Sequence, residues 1–550
     1  MARINNFTKF KNPKKIILIL IFLLALFLRT YKTSSIPHFL NRDEADIGYN
    51  AYVLLKTAKD EHAKLLPFFF ESFGDWKMPV YIYLTIPFIF LFNLSIFSVR
   101  FLSGLAGSLT VILVYFLVKK TFPKNKNLAI IASLLLALSP WHIHFSRQAY
   151  EVNLALFFIS MGSLLFFKKK YLLSLAFFII SLFTYHGTTL FVLSLYLFLV
   201  FISKTKSFFK SKQFYYFLFL ALIFFLSQLG GKKAIKDKFL QTTVFRDKSI
   251  YLEKIFLIKQ AHKSDRLTAN IFHNQAVEGF LSYSENYFSS LSLPFLFFGN
   301  DLNARFLIGK KSLRLNYLVL IPFYFWGLFL IVKKRKRVEL FWLFWYLSIP
   351  ILPSFLVRTP SGFRNFGQVI PLIVIISLGL DSFIVFCKKL KFSYLVFIIL
   401  SLVWFGDILK ISENYINHVN GGYDYYYKEI IDNFNYWENK RNKPLILKIT
   451  KPEFSPYIFT AFYQKIEPSW FLDNVEWYPL DDEGFRHVKS ITSKYQFGSI
   501  DWNGGDNIDR DIVYVDLFYD LPGEIKEKAG IDSRIIKDKS GQPLFFQFIY

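Results

Sequence analysis

Three acidic side chains close behind the first apolar stretch are the residues of this chain best suited to chemistry. The apolar stretch is IILILIFLLALFL (16–28), and the segment NRDEADIGYN then brings Asp43, Glu44 and Asp46. Carboxylates at the edge of a membrane segment are costly, so they point to a function. A charged substrate carried by a lipid would supply one.

Further charged side chains fall on loops or span ends that we predict on the same, outer side of the membrane. They are Asp75, Lys77, Arg100, Arg147, His186, Arg358 and Arg364. A carboxylate can take the proton from an attacking hydroxyl, and Arg or Lys can neutralise a phosphate as it leaves. Because the planar fork of arginine pairs with two phosphate oxygens, this combination predicts glycosyl transfer from a lipid phosphate.

Structural interpretations stand beside the functional ones. The acids at 43–46 could be solvated loop residues, or one of them could cap the helix predicted over 49–58. Lys77 in DWKMP could be an interfacial lysine that reaches toward water. Arg147 could cap a short helix end.

Metal binding has weak support in the sequence. The histidines His142, His144 and His186 do not predict zinc, because an HxH pattern on a loop lacks a paired acidic motif. A divalent cation held by Asp43 and Asp75 is the alternative, although the spacing of the two acids does not favour it. No cofactor is therefore required by the pattern.

The elements that must position these residues are membrane spans. Of the 550 residues 53% are hydrophobic, and apolar runs long enough to cross a bilayer recur along the chain. We attribute the net charge of +26 to cytoplasmic loops and not to nucleic-acid binding. One cysteine, Cys387, excludes an intrachain disulfide. The sequence therefore predicts a mainly α, multi-pass protein of the cell membrane.

Loop charge predicts the topology. Eleven spans are predicted, at 16–30, 101–118, 128–141, 152–167, 171–185, 188–203, 213–230, 315–332, 339–357, 366–386 and 393–410. With the N-terminus cytoplasmic, as a retained anchor, every short basic loop between them faces the cytoplasm. The segment 79–97 is apolar, but counting it as a span would break this rule. We therefore predict a re-entrant or interfacial helix there, with Pro79 at its start and a kink at Pro87.

Two domains are expected. Residues 1–410 form the transmembrane part, with a first outer loop at 31–100 and a long outer loop at 231–314. Residues 411–550 are more polar and alternate strand-like runs with a helix-like segment, which predicts a small extracytoplasmic α/β domain. The strand-like runs are 444–450, 511–519 and 543–549, and the helix-like segment is 524–530.

Several segments, taken together, resemble a known superfamily. They are DEADIGYNAYVLL, GDWKMPVYIYL, FSVRFLSGLAGSLTVILVYFLVKKTF and LALSPWHIHFSRQAYEVNLALFF. In order and spacing they resemble the GT-C glycosyltransferases, and within them the dolichyl-phosphate-mannose-protein mannosyltransferase-like group of protein O-mannosyltransferases and lipid A aminoarabinose transferases. The resemblance covers roughly 1–230. Segments 295–306 and 358–374 resemble later parts of the family.

The resemblance implies a polyprenyl-phosphate-linked sugar donor and a protein, lipid or glycan acceptor that meet at the outer face. The acidic pair of the family corresponds to Asp43 and Glu44, so Asp43 becomes the candidate base and Asp46 a helix-start residue. The Lys-Pro-Pro or His-Pro-Pro element of the family appears as Lys77-Met78-Pro79, with one proline replaced, and the arginine that the family has before the second span matches Arg100.

The full hypothesis is an inverting glycosyltransferase surrounded by membrane lipids. Its remaining roles are predicted as follows: Glu44 and Asp75 orient the acceptor or a cation, and Lys77, Arg100, Arg147, His186 and Arg364 bind lipid phosphate or sugar. A flippase would instead carry mid-bilayer charges and related halves. A non-catalytic receptor would not need the loop acids. An oligosaccharyltransferase or polymer ligase would share the same chemistry.

Overall fold

A computed structural model gives the arrangement of most of the chain. It describes residues 13–73, 75–203, 209–229, 243–245, 252, 256, 271–272, 274–302, 307–308, 311–334, 336–391, 393–418, 422–481, 486–500, 502, 509–527, 532–538 and 541–550. Most of the predicted outer loop 231–314 therefore lies outside the described residues.

The contacts within the chain divide it into two compact units. The helical unit comprises Met1–Tyr31 and Ser103–Asn417, and the mixed unit comprises Lys32–Leu102 and His418–Tyr550. The boundary between the two units at Asn417 and His418 lies close to the predicted domain boundary at 410. The first outer loop, predicted at 31–100, falls almost wholly within the mixed unit.

Helices make up most of the described chain. In order they are α1 (Pro13–Thr30), α2 (Arg42–Thr57), α3 (Pro79–Phe92), α4 (Ile96–Thr121), α5 (Leu128–Leu138), α6 (Pro140–Ser146), α7 (Glu151–Phe167), α8 (Tyr171–Leu182), α9 (Thr189–Ile202), α10 (Lys212–Leu229), α11 (Gln275–Ser289), α12 (Leu293–Phe298), α13 (Ile321–Lys334), α14 (Arg337–Ser348), α15 (Val369–Cys387), α16 (Ser393–Glu413), α17 (Tyr427–Arg441), α18 (Pro456–Tyr463), α19 (Pro468–Asn474) and α20 (Gly523–Lys526).

Four helical stretches within the described ranges are long and apolar enough to cross a membrane. They are Ile96–Thr121, Arg337–Phe355, Phe366–Cys387 and Tyr394–His418, and the bent pair α5–α6 would add a fifth. Each of the four overlaps a predicted span. The chain is a multi-pass membrane protein, while the count of eleven spans and the orientation of the termini stay predictions.

Helix α3 lies within the segment 79–97, for which we predict a helix that does not span the membrane. It contains 14 residues with Pro79 in its first turn and Pro87 inside it. At 1.5 Å per residue it is about 21 Å long, shorter than the roughly 30 Å of a bilayer core. Phe90 and Leu91 near its end are strongly exposed. Its length therefore favours a re-entrant or interfacial placement, which stays a prediction.

The described strands form one large sheet and two small hairpins. The large sheet and the hairpin of β1 and β2 belong to the mixed unit, and the hairpin of β3 and β4 belongs to the helical unit. The strands of the described ranges are β1 (Phe70–Ser72), β2 (Asp75–Lys77), β3 (Leu307–Ile308), β4 (Lys311–Ser312), β5 (Ile446–Ile449), β6 (Val475–Trp477), β7 (Val488–Ile491), β8 (Tyr495–Phe497), β9 (Ile512–Leu517), β10 (Asp532–Lys537) and β11 (Pro543–Ile549). The large sheet has the order β10-β11-β9-β5-β8-β7-β6, and β5 runs parallel to both β8 and β9. All three predicted strands are present, and the helix predicted at 524–530 is the short α20.

Helix α2 lies in the core of the mixed unit. Most of its side chains are buried, and Tyr49 donates a hydrogen bond from its hydroxyl to the carbonyl of Ile466 at 3.1 Å. At Gly48 a Cβ atom would lie 2.6 Å from Val99 and 2.7 Å from Phe462. Close packing on both sides therefore fixes the rotation of α2, and with it the direction of every acidic side chain it carries.

Candidate functional site

The acidic cluster lies inside a helix, not on a loop before one. Asn41 is the N-cap of α2: its side chain accepts from the backbone N–H of Glu44, and the Glu44 carboxylate accepts from the backbone N–H of Asn41 at 3.2 Å. This capping box satisfies two N–H groups that a helix start leaves open. Because Asp43 and Asp46 are three residues apart, they lie on one face, and Glu44 points about 100° away from Asp43.

The lysine of the site is positioned by the β1–β2 hairpin. Phe70 pairs with Lys77, and Ser72 pairs with Asp75, in an antiparallel register. Helix α3 starts two residues after Lys77, with Met78 as its extended N-cap. The lysine backbone is therefore held by strand pairing on one side and by a helix start on the other.

Lys77 joins two of the three acids. Its ammonium lies 2.6 Å from Asp46 Oδ2 and 3.4 Å from Asp43 Oδ1, and it donates to the Asp43 carbonyl at 3.3 Å. The Asp43 side chain is 31% exposed, whereas that of Asp46 is fully buried. A substrate can therefore approach Asp43, while Asp46 lies behind the lysine. The interpretation of Asp46 as a helix-start residue is wrong.

The third acid belongs to a separate, closed ion pair. Glu44 Oε1 accepts from Arg100 Nε at 2.8 Å, and Oε2 accepts from Nη2 at 2.7 Å. The remaining N–H groups of Arg100 donate to the carbonyls of Thr33, Pro37 and Phe39. Both side chains are fully buried.

This geometry assigns Arg100 and Glu44 a structural role, because all five N–H donors of the guanidinium are occupied within the protein. The phosphate-binding role predicted for Arg100 and the orienting role predicted for Glu44 do not fit that arrangement. A buried, bidentate pair instead ties the start of α2 to α4 and to the chain segment before α2.

Of the other predicted site residues, Asp75 lies in the same hairpin as Lys77, and three belong to the helical unit. Asp75 is in β2, and its side chain is outside what the structure describes. Arg147, His186 and Arg364 belong to the helical unit. Arg147 donates to the carbonyls of Leu28 at 2.6 Å and Tyr31 at 2.7 Å, at the end of α1.

Arg364 donates to the Val357 carbonyl at 2.8 Å, and His186 begins a short 3-10 turn in which its carbonyl accepts from Thr189 Oγ1 at 2.6 Å. The contacts of Arg147 match the helix-capping alternative. The binding roles of these three residues stay predictions.

Sequence reasoning missed two buried polar groups. Glu61, in the loop after α2, is fully buried beside Asp46. Arg29 is fully buried in α1, where it donates to backbone carbonyls and to His142 Nδ1 at 2.8 Å. No cluster of three or more metal-ligating side chains occurs among the described residues.

The family comparison extends the resemblance seen in the motifs. Residues 19–240 match the model of the family described as dolichyl-phosphate-mannose-protein mannosyltransferase. The resemblance is thereby confirmed for this part of the chain, which contains α2, the β1–β2 hairpin, Arg100 and Arg147. No curated protein sequence matches the chain.

Two solved structures of low sequence identity are similar to this chain, each with a TM-score below 0.5. The archaeal oligosaccharyltransferase AglB from Archaeoglobus fulgidus, in complex with an inhibitory peptide and a dolichol-phosphate, is 13% identical with a TM-score of 0.47. The match covers 82% of this chain and 63% of AglB, so this chain spans less than two thirds of that protein. ArnT from Cupriavidus metallidurans bound to undecaprenyl phosphate is 10% identical over 97% of both chains, with a TM-score of 0.49.

Proposed function

We propose that this chain, whose residues 19–240 match the mannosyltransferase family, is an integral-membrane glycosyltransferase. It moves a sugar from a polyprenyl phosphate to an acceptor at the outer face of the cell membrane, with its N-terminus in the cytoplasm and residues 411–550 outside. The observation that carries the proposal is the extent of the family match, because the matched segment contains both α2 and Lys77. The partly exposed Asp43 beside Lys77 supports it.

The chemistry follows from these two side chains. The acceptor oxygen attacks the anomeric carbon of the sugar, and the Asp43 carboxylate takes the proton of the acceptor hydroxyl. The bond between the anomeric carbon and the phosphate oxygen breaks, and its electron pair leaves with the lipid phosphate. Lys77 neutralises the charge that develops there. Attack on the side opposite the phosphate inverts the anomeric centre.

The remaining roles are proposed from the sequence. Arg147, His186 and Arg364 bind the lipid phosphate or the sugar, and Asp75 orients the acceptor or a divalent cation. Glu44 and Arg100 are proposed to hold the start of α2 in place and to act on the reaction only through Asp43. The acceptor is a protein, a lipid or a glycan.

The test uses the full-length protein reconstituted in liposomes with a panel of polyprenyl-phosphate sugars. Release of polyprenyl phosphate is measured for the wild type and for Asp43→Asn. Loss of a general base typically costs about 10²- to 10⁴-fold in rate, and we expect a loss in that range. Asp432→Asn is the matched control, since that carboxylate is exposed and pairs with Lys428 on its own helix.

Two outcomes would contradict the proposal. If Asp43→Asn transfers sugar at the wild-type rate, Asp43 is not the base. If no donor of the panel releases its lipid phosphate while the wild type remains folded and lipid-embedded, the chain is not a transferase of this class. Equal losses in Asp43→Asn and Asp432→Asn would show a nonspecific effect of charge removal.

A further inference from the structure

A second pair of carboxyl groups lies behind Lys77, and the proposed reaction does not use it. The first member is Asp46, whose Oδ2 contacts the Lys77 ammonium at 2.6 Å. Its other oxygen accepts from the side-chain amide of Asn50 at 3.0 Å. Asp46 therefore has partners at both oxygens while it is fully buried.

The second member is Glu61. Its carboxyl group lies next to that of Asp46 in the same buried cluster. Its backbone N–H donates to Asn50 Oδ1 at 3.1 Å, and the hydroxyl of Tyr457 donates to its Oε2 at 3.3 Å. Asn50 thus connects both acids: its side-chain NH2 donates to the Asp46 carboxylate, and its side-chain oxygen accepts from the Glu61 backbone N–H.

Glu61 has no cation of its own within the described residues. Its Oε1 atom is buried and accepts no hydrogen bond within the described residues, and the nearest ionisable nitrogen there is His62 Nε2 at 3.9 Å. Burial lowers the pKa of His62 to about 4, so this ring is neutral. The other ionisable groups that face Glu61 are Asp46, Asp60 and the phenols of Tyr49 and Tyr457.

The arrangement requires a proton between the two carboxyl groups. Two ionised carboxylates cannot hydrogen-bond to each other, and in a buried pair one of them stays protonated. Burial, and then the negative charge of Asp46, raise the pKa of Glu61 well above its ordinary value. The Lys77 ammonium contacts Asp46 and not Glu61, so Glu61 is the carboxyl group that holds the proton and donates it.

We propose that Asp46 and Glu61 are a proton-sharing pair that positions Lys77 beside Asp43. The neutral Glu61 donates to Asp46, the Asp46 carboxylate holds the ammonium, and a remaining N–H of Lys77 faces Asp43 at the exposed side of the cluster. Both acids are positioning residues, because their side chains are fully buried and act on the reaction only through Lys77. The consequence for catalysis rests on the proposed function, whereas the shared proton does not.

The decisive variant is Glu61→Gln, whose amide mimics the neutral acid. The folded-state pKa of Glu61 lies above the unfolded value of about 4.3, so its contribution to stability is complete below that pH and is lost as pH rises toward the folded value. Relative to Glu61→Gln, the unfolding equilibrium constant of the wild type should therefore rise by up to about tenfold per pH unit across this window. Thermal unfolding in detergent from about pH 5 to about pH 9 measures the difference.

The matched control is Asp60→Asn. Asp60 is also buried and its pKa is also raised by burial, but it accepts from the backbone N–H groups of His62 and Lys64 and does not contact Lys77. It should leave the donor KM unchanged at every pH. For the wild type we expect the donor KM to increase at alkaline pH, and for Glu61→Gln we expect that increase to disappear.

The outcomes separate the two parts of the proposal. Equal pH slopes of stability for the wild type and Glu61→Gln would overturn the shared proton. If the wild type and Glu61→Gln differ in the pH slope of stability but not in the pH dependence of the donor KM, the proposed positioning of Lys77 is overturned. If no sugar is transferred at all, the proposed function fails while the stability slopes still decide the proton. If Glu61→Gln does not accumulate, Asp46→Asn serves instead, and an undiminished slope there would overturn the pair.

Discussion

Two cation–carboxylate sites begin at neighbouring positions on the first turn of α2, and they differ in access. At the closed site, Glu44 and Arg100 are fully buried, and each N–H of the guanidinium has a partner within the protein. At the open site, Lys77 is shared between the buried Asp46 and the 31% exposed Asp43. The difference teaches that adjacent acids can have unrelated functions when a helix turns them about 100° apart.

The closed site has the properties of a structural ion pair, and the open site has the partly exposed carboxylate that the proposed reaction needs. A buried bidentate pair gives geometric specificity, but it leaves no donor for a ligand. A lysine has three N–H donors and no fixed plane, so it can exchange one partner for a phosphate oxygen without losing the others. On this comparison, mutations at the two sites should have different signatures.

The largest effect on stability is expected at the closed site. Arg100→Ala leaves Glu44 charged, buried and without its partner, which typically costs about 3–5 kcal/mol. We expect a loss of several degrees or more in the melting temperature in detergent. Arg486→Ala is the control, because the Arg486 side chain is 37% exposed and lies 4.0 Å from its nearest acid, Glu71. An Arg100→Ala protein of normal stability but weakened donor binding would return Arg100 to the phosphate site.

A smaller loss of stability is expected at the open site. Lys77→Met removes the ammonium from Asp46, but this buried side chain keeps its contacts with Asn50 and Glu61. We expect a loss of about 1–3 kcal/mol, the usual cost of a buried polar group that loses one partner. Melting temperatures in detergent measure this loss. A loss as large as that of Arg100→Ala would remove the distinction between the two sites.

The smallest effect is expected at the cap that both sites share. Asn41→Ala removes the side-chain acceptor for the first turn of α2, which costs typically about 1 kcal/mol. Because the cap orients Asp43 and Glu44 together, melting temperature and sugar transfer should both fall slightly. Asn41→Asp, which retains the acceptor, should restore both properties. A change in only one property would show that the sites are not coupled through the helix start.

The sequence predicted the chemical elements of the site, but not the secondary structure that sorts them. When the acids are placed on a loop, the family resemblance groups Asp43 with Glu44 and leaves Asp46 as a helix-start residue. The pattern Asn41-x-x-Glu44 is the signal that was missed, since an Asn followed three residues later by Glu predicts a capping box. With the helix started at 42, the spacing of Asp43, Asp46 and Asn50 would have placed all three on one face.

Other features could not be predicted from the sequence, because they depend on contacts between distant parts of the chain. Glu61 reaches Asp46 through a loop whose path depends on tertiary packing, and Tyr457 comes from almost 400 positions later in the chain. The membrane helices were easier to predict, because a long apolar run is a local signal. The spans predicted at 339–357 and 366–386 coincide with observed helices to within a few residues. In the C-terminal sheet, three hydrophobic strands were found, and the short or polar strands β6, β7, β8 and β10 were not.

The pairing of Phe70 with Lys77 limits how the length of this loop can vary. Along a strand, side chains alternate between faces, so one residue inserted between the partners would turn the lysine away from α2. The segment 62–69 before the hairpin carries no such constraint on the direction of Lys77, and Leu65, Leu66 and Phe68 within it are exposed. Insertions and deletions should therefore be tolerated there and excluded from 70–77. The hairpin is thus a segment of constant length between a variable loop and the start of α3.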